Sequence, residues 1–261
     1  MQALFVVTMG YLGLRIQRHS STHPGPKMIL CIPMEVHNVN AIIWDLDGTL
    51  INSFDLFQQI LTDVTPETGH VMPTAACLAD HFHGSLDETL RAVLGIKTDE
   101  ELDIVRESFL KFQVRHYEGD LRSNLFSDAV KLAKTASIKG IRQLILTNRF
   151  HEGRGSASPK AIVANTDLHD YIQSVYTGDE VEYRKPDKRS VSPWMSQNNA
   201  TPEQTLVIGD QYVDAQLAIN LGTRAILVNR TGAAIPHVSA HGHDSHSSVQ
   251  IVTSLNQIEL T

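Results

Sequence analysis

The sequence predicts an α/β fold, a doubly wound parallel sheet carrying an inserted module of α-helices. Three observations carry that expectation. Short apolar runs of strand length alternate with helical patterns along most of the chain. The strongest runs end in acidic residues, threonine or glycine, as buried parallel strands do where they meet a loop. Residues 53–125 interrupt the rhythm, with helical periodicity and no convincing strand.

The elements follow in order. Residues 1–38 read as an N-terminal extension, expected to be disordered. Met1–Ile16 is apolar but interrupted by Gly10 and Arg15, too short to span a membrane and without the basic start of a secretory signal. Ser20–Pro26 reads as a loop, and Met28 or Met34 would each begin a complete core. The first core strand is Ala41–Asp45. Further strands are expected at Gln143–Thr147, Ser174–Thr177, Thr205–Gly209, Arg224–Val228 and Val249–Val252. Helical patterns at Asp128–Lys139, Pro159–Asn165 and Asp214–Leu221 separate them, which implies right-handed crossovers. Residues 39–52 and 126–261 thus form the core. Residues 53–125 form a helical cap, with helices over Phe54–Leu61, Leu86–Leu94 and Glu100–Tyr117. His237–Ser248 is a polar loop. Its His237, His241, His243 and His246 match no closed zinc-site spacing.

Composition narrows the function. The chain has 261 residues, 42% of them apolar and 20% charged, ordinary for a globular protein with a real core. A net charge of -7 argues against nucleic acid or an anionic membrane as partner. It leaves a small anionic metabolite possible, because one metal ion and one lysine reverse the local sign. Cys31 and Cys77 are far apart and form no CxxC motif, which suggests a reducing, cytoplasmic compartment.

Four segments sit at or just beyond strand ends, where open α/β sheets bind ligands: Asp45–Thr49, Leu146–Asn148, Arg184–Pro186 and Gly209–Asp214. Asp45 and Asp47 can reach one centre if the backbone curls at Gly48. One carboxylate can then attack phosphorus while the other protonates the leaving oxygen and later deprotonates water. An anionic nucleophile on an anionic target needs a cation between them, and oxygen ligands with a phosphate select Mg2+. Asp210 and Asp214 supply further carboxylates, although each would also suit a turn or a helix cap. Thr147 offers a hydroxyl and a backbone N–H to a phosphoryl oxygen, and Lys185 a positive charge.

These segments, DLDGTL, LTN, RKP and GDQYVD, resemble the four motifs of the haloacid dehalogenase-like hydrolases, with Ala218 and Gly222 matching the helix after the fourth. The resemblance implies a Rossmann-like core and a helical cap. It makes Asp45 the nucleophile and a metal ligand, and Asp47 the general acid/base, binding the metal through its carbonyl. Thr147, Asn148 and Lys185 would hold the phosphoryl group, and Asp210 and Asp214 the metal. Relatives often carry aspartate where this chain has Asn52.

Retention of Asp47 favours phosphoryl transfer over dehalogenation, since halide leaves without a proton. Lys97 and Lys111 read as helix-surface lysines, which disfavours an imine-forming, phosphonate-cleaving branch. The segment His81–Leu90 resembles the specificity loop of phosphoglycolate phosphatases, with Ser85 or Asp87 capping a helix and His83 or Arg91 reaching the substrate. The expectation is therefore a Mg2+-dependent hydrolase of small phosphomonoesters acting through a phospho-aspartyl intermediate, monomeric or homodimeric. A β-phosphoglucomutase-like phosphomutase and a non-catalytic binding relative are the alternatives.

Overall fold

The computed structural model describes residues 34–82, 85–151, 154–230, 235 and 249–261, together with strands at 4–8 and 15–19. It divides into two units, residues 1–32 and 33–261. In the first unit, β1 (Leu4–Thr8) pairs antiparallel with β2 (Arg15–His19). The second unit opens with β3 (Met34–Val36), so the expected extension over 1–38 contains strand segments of both units.

The core strands are β4 (Ala41–Trp44), β5 (Arg142–Leu146), β6 (Ser174–Tyr176), β7 (Thr205–Gly209), β8 (Arg224–Val228) and β9 (Val249–Val252). They form a parallel sheet in the order β6-β5-β4-β7-β8-β9. Succession runs outward from β4 in one direction and returns to its other side through β7, so the topological switch lies at β4, where open sheets bind ligands. At the chain's end β10 (Ile258–Leu260) pairs in parallel with β3.

Burial explains why AIIW is apolar at every position. Ile42 and Trp44 enter the core on one face of the sheet, Ala41 and Ile43 that on the other. Each fully buried isoleucine contributes about 1.5–3 kcal/mol. The one polar atom of Trp44 is satisfied: its indole N–H donates to Gln143 Oε1 at 3.0 Å, and Gln143 Nε2 donates in turn to the Ala133 carbonyl at 2.9 Å.

Between β4 and β5 come α1 (Ser53–Thr68), α2 (Ala75–His81), α3 (Leu86–Leu94) and α4 (Asp99–Tyr117). Each begins on a side-chain cap, from Asn52, Thr74, Ser85 and Thr98 respectively. Asn52 therefore has a structural use. Ser85 closes a capping box with Glu88, leaving Asp87 to pair with Arg106. Helices α1 and α4 pack on each other, with the rings of Phe57 and Phe109 5.1 Å apart. Core helices α5 (Ser127–Ile138), α6 (Pro159–Ala164), α7 (Ser192–Gln197) and α8 (Tyr212–Leu221) complete the layers. Among the described residues, no helix is long and apolar enough to cross a membrane.

Candidate active site

Three strand ends meet at the carboxyl edge of the sheet. Asp45 follows β4 directly, and its N–H donates to the Ile208 carbonyl of β7 at 2.8 Å, fixing where the side chain leaves the sheet. Asp210 follows β7. Asp214 lies in the first turn of α8, where its Oδ2 accepts from Gln211 N–H at 3.2 Å. It caps the helix and faces the carboxylate cluster at once.

Lys185 ties these groups together. Its Nζ donates to Asp45 Oδ1 at 2.5 Å and to Asp214 Oδ1 at 2.7 Å, and all three side chains are buried. Burial works against the ammonium, but the charges of Asp214 and Asp45 outweigh it and raise its pKa above the lysine range. The opposite holds for Asp45. Burial, with Asp214 and Asp47 near, pushes its carboxyl up to about 7 against the pull of Lys185. Asp210 is raised too, first by burial and then by Asp45 and Asp214.

Oxygens of Asp45, Asp210 and Asp214 lie within 4.8 Å of one another, and Asp210 Oδ1 is buried without a hydrogen-bond partner. Three carboxylates against one ammonium in a buried site, one oxygen of them unsatisfied, is a donor set that fits a hard divalent cation. Backbone shape makes the cluster possible. A side chain at Gly48, where φ is +76°, would meet Asp210 Oδ2 at 2.1 Å, and one at Gly209 would meet Asp214 Cγ at 2.2 Å.

The remaining expected residues fall into place unevenly. Thr147 is buried beside the cluster, but its N–H donates to the Tyr176 carbonyl at 3.0 Å. Only the hydroxyl, which accepts from Arg149 N–H at 3.1 Å and keeps its own proton to donate, is free for a phosphoryl oxygen. Asn148 is committed to the backbone of Lys185, accepting from its N–H at 3.1 Å and donating to its carbonyl at 3.2 Å. It positions the lysine. Arg91 pairs with Asp99 and does not line the cavity. His83, Cys31 and His237, His241, His243 and His246 lie outside the described residues. Lys111 pairs with Glu67 at 2.9 Å, and Lys97 is exposed.

Three residues that the sequence reading missed shape the site. Arg149 grips both oxygens of Asp47, with Nε 3.0 Å from Oδ2 and Nη2 on Oδ1. It also donates to Tyr117 Oη on α4 at 3.1 Å. Arg154 lines the same cavity. The available signal was position, a basic residue directly after the strand-end LTN, but arginine in a loop is usually solvated. The cavity measures about 820 Å³ and runs from Asp45, Thr147 and Lys185 to Phe82, Arg106 and Phe109 of the inserted helices.

The family model described as haloacid dehalogenase-like hydrolase matches residues 42–228, all four strand-end segments included. This chain belongs to the haloacid dehalogenase-like hydrolases. Among curated members of similar sequence, pyrophosphatase PpaX of Anoxybacillus flavithermus is 25% identical over 207 residues, 79% of this chain and 91% of that protein. Phosphoglycolate phosphatase of Thiobacillus denitrificans is 24% identical over 184 residues, 69% and 78% of the two chains. The haloacid dehalogenase-like fold recurs in a Bacteroides fragilis hydrolase of that name, with TM-score 0.62 at 22% identity over 84% of this chain and 99% of the other. It recurs again in CbbY from Rhodobacter sphaeroides, crystallised with xylulose-(1,5)-bisphosphate, with TM-score 0.63 at 17% identity over 85% and 97%.

Proposed function

We propose that this haloacid dehalogenase-like hydrolase cleaves small phosphomonoesters through a phospho-aspartyl intermediate on Asp45, with Mg2+ bound by Asp45, Asp210, Asp214 and the Asp47 carbonyl. One observation carries the reading: Lys185 joins Asp45 and Asp214 in a buried carboxylate cluster at the floor of a cavity of metabolite size. Phosphatases among the curated relatives support it.

Each side chain has a task in that reaction. Lys185 turns one Asp45 oxygen toward itself and leaves the other to attack phosphorus in line. Its charge, with the Thr147 hydroxyl, balances the phosphoryl oxygens as they approach three carboxylates. Bound Mg2+ supplies the further positive charge that lets two anions meet. Asp47 protonates the leaving oxygen and then takes a proton from the water that opens the acyl phosphate. To do so its carboxyl turns off Arg149, which holds it in this structure.

The test is phosphate release with Mg2+ from a panel of phosphomonoesters, repeated in EDTA and with Asp45→Asn. Release that stops in EDTA and in the variant supports the reading. Equal turnover by Asp45→Asn would remove the nucleophile, and turnover of a bisphosphate to its isomer without free phosphate would move the chain to the mutases.

A further inference from the structure

Four arginines line the cavity, and three of them are accounted for. Arg149 is paired with Asp47. Arg106 is paired with Asp87 and Asp103. Arg184 is exposed to water, stacked 4.6 Å over the Phe150 ring, with its Nε donating to the Gly178 carbonyl.

Arg154 differs. It is half-buried, and the one polar partner of its side chain among the described residues is neutral: Nη1 donates to Gln113 Oε1 at 2.9 Å. No carboxylate pairs with it among the described residues. Burial and the neighbouring Arg149 charge lower its pKa, against the distant pull of Asp47, Asp179 and Asp87. Two guanidinium groups thus line one cavity, Arg149 gripping Asp47 and Arg154 without a carboxylate partner among the described residues. The segment is also held in place. Ser156 Oγ donates to the Val114 carbonyl of α4 at 2.7 Å, and Gly155 lies where a side chain would touch Val114 at 3.7 Å. The Arg154 side chain and its neighbour Ser156 are thus each tied to α4 by one hydrogen bond.

We propose that Arg154, with Arg149 beside it, is a second anion subsite, taking a carboxylate or phosphate at the far end of the substrate's leaving group. This deepens the phosphomonoester reading and rests on it. The substrate class becomes phosphomonoesters with two anionic ends. A guanidinium fork binds either group in a bidentate manner, and that of Arg154 has no carboxylate paired with it among the described residues.

The experiment uses the non-turnover Asp45→Asn protein in Mg2+, titrated by calorimetry with phosphoglycolate, ethylene bisphosphate and ethyl phosphate. Ethyl phosphate replaces the distal anion with a methyl group. The two doubly anionic ligands are expected to bind roughly 10- to 100-fold more tightly, the range of a hydrogen bond to a charged group. Their ranking distinguishes a carboxylate from a phosphate partner. Adding Arg154→Met is expected to collapse that preference, and Arg154→Lys to restore part of it, since charge returns without the fork. Should the methionine variant fail to fold, Arg154→Gln, which keeps an amide toward Gln113, carries the same comparison. Equal affinity for all three ligands, no binding of any, or a preference that survives removal of the guanidinium would overturn the subsite. Hydrolysis of the same compounds by the wild-type protein separates the two readings. A binding preference without phosphate release would remove the hydrolase and keep the subsite. Release from all three at similar kcat/KM would keep the hydrolase and remove the subsite.

Discussion

Gly48 lets the turn carrying Asp45 and Asp47 pass directly beneath Asp210. A methyl group there has two costs. It sits at positive φ, about 1–2 kcal/mol for an ordinary residue, and it drives into Asp210 Oδ2. The second cost matters more for function, because Asp210 can yield only by leaving the carboxylate cluster. Gly48→Ala is expected to lower kcat/KM at least about 100-fold, within the range that misplacing a catalytic group costs. It should also weaken Mg2+ binding, with a drop in Tm of only a few degrees. Mg2+ titration followed by activity and by melting checks it; an unchanged Mg2+ affinity would contradict the contact. Asp45→Asn should behave in the opposite way, since it removes a buried charge and keeps the shape. Its Tm is expected to equal or exceed that of the wild type while turnover disappears.

At the level of elements, Arg230 after β8 braces the turn that follows β4. Its guanidinium donates to the carbonyls of Gly48 and Thr49 at 3.4 and 3.2 Å, and to Asp128 Oδ2 of α5 at 3.0 Å. Asp128 Oδ2 also accepts from Ser254 Oγ and Leu255 N–H, at 2.7 and 2.8 Å. Burial alone would raise the pKa of Asp128. The hydrogen bonds from Arg230, Ser254 and Leu255 outweigh it and hold the carboxyl below its ordinary 3.8. A depressed carboxyl stabilises the fold above the unfolded value and loses that contribution as pH falls through the folded one. Asp128→Asn is therefore expected to melt lower than the wild type at neutral pH and to converge with it below about pH 4. Arg230→Met should cost about 2–4 kcal/mol by leaving Asp128 without its counter-charge, and should also reduce kcat. A methionine variant with wild-type stability would refute the brace.

These elements also show what the chain reveals before folding. Segments β4, β5, β7 and β8 were legible because unbroken apolar runs end where chemistry begins, and α3 and α4 because their apolar spacing is long and regular. Helices α2 and α7, of seven and six residues, were not read from the sequence, each offering at most two turns of apolar spacing. The short β3 and β10 are defined by each other, a pairing no local pattern announces. Asp45, Asp210, Asp214 and Lys185 were singled out by motif, Asp45 and Asp210 directly after strands and Asp214 in the helix that follows one. Arg149, Arg154 and Tyr117 were not, because their use depends on α4 lying against the 154–158 segment.

For the molecule as a whole, the carboxylate cluster sets stability against readiness to bind a cation. Asp45 has a folded pKa near 7 against an ordinary 3.8, so the folded state retains a proton that the unfolded chain gives up. Stability without metal is expected to fall as pH rises between about 4 and 7. Melting in EDTA across that window checks it, and a Tm that rises toward neutrality would contradict it. Mg2+ should reverse the trend and displace a proton, adding about 2.7 kcal/mol at a hundredfold excess over its Kd. The strand order has a further consequence, in time. Ala41 at the centre of the sheet stands in register with Arg142 on one side and Thr205 on the other. During synthesis at about 5–20 residues per second, AIIW emerges and then waits roughly 5–20 s for its first neighbour and 8–30 s for its second. A strand buried at every position thus spends that interval in water, and the inserted helices, which can pack among themselves meanwhile, are what the ribosome delivers while it waits.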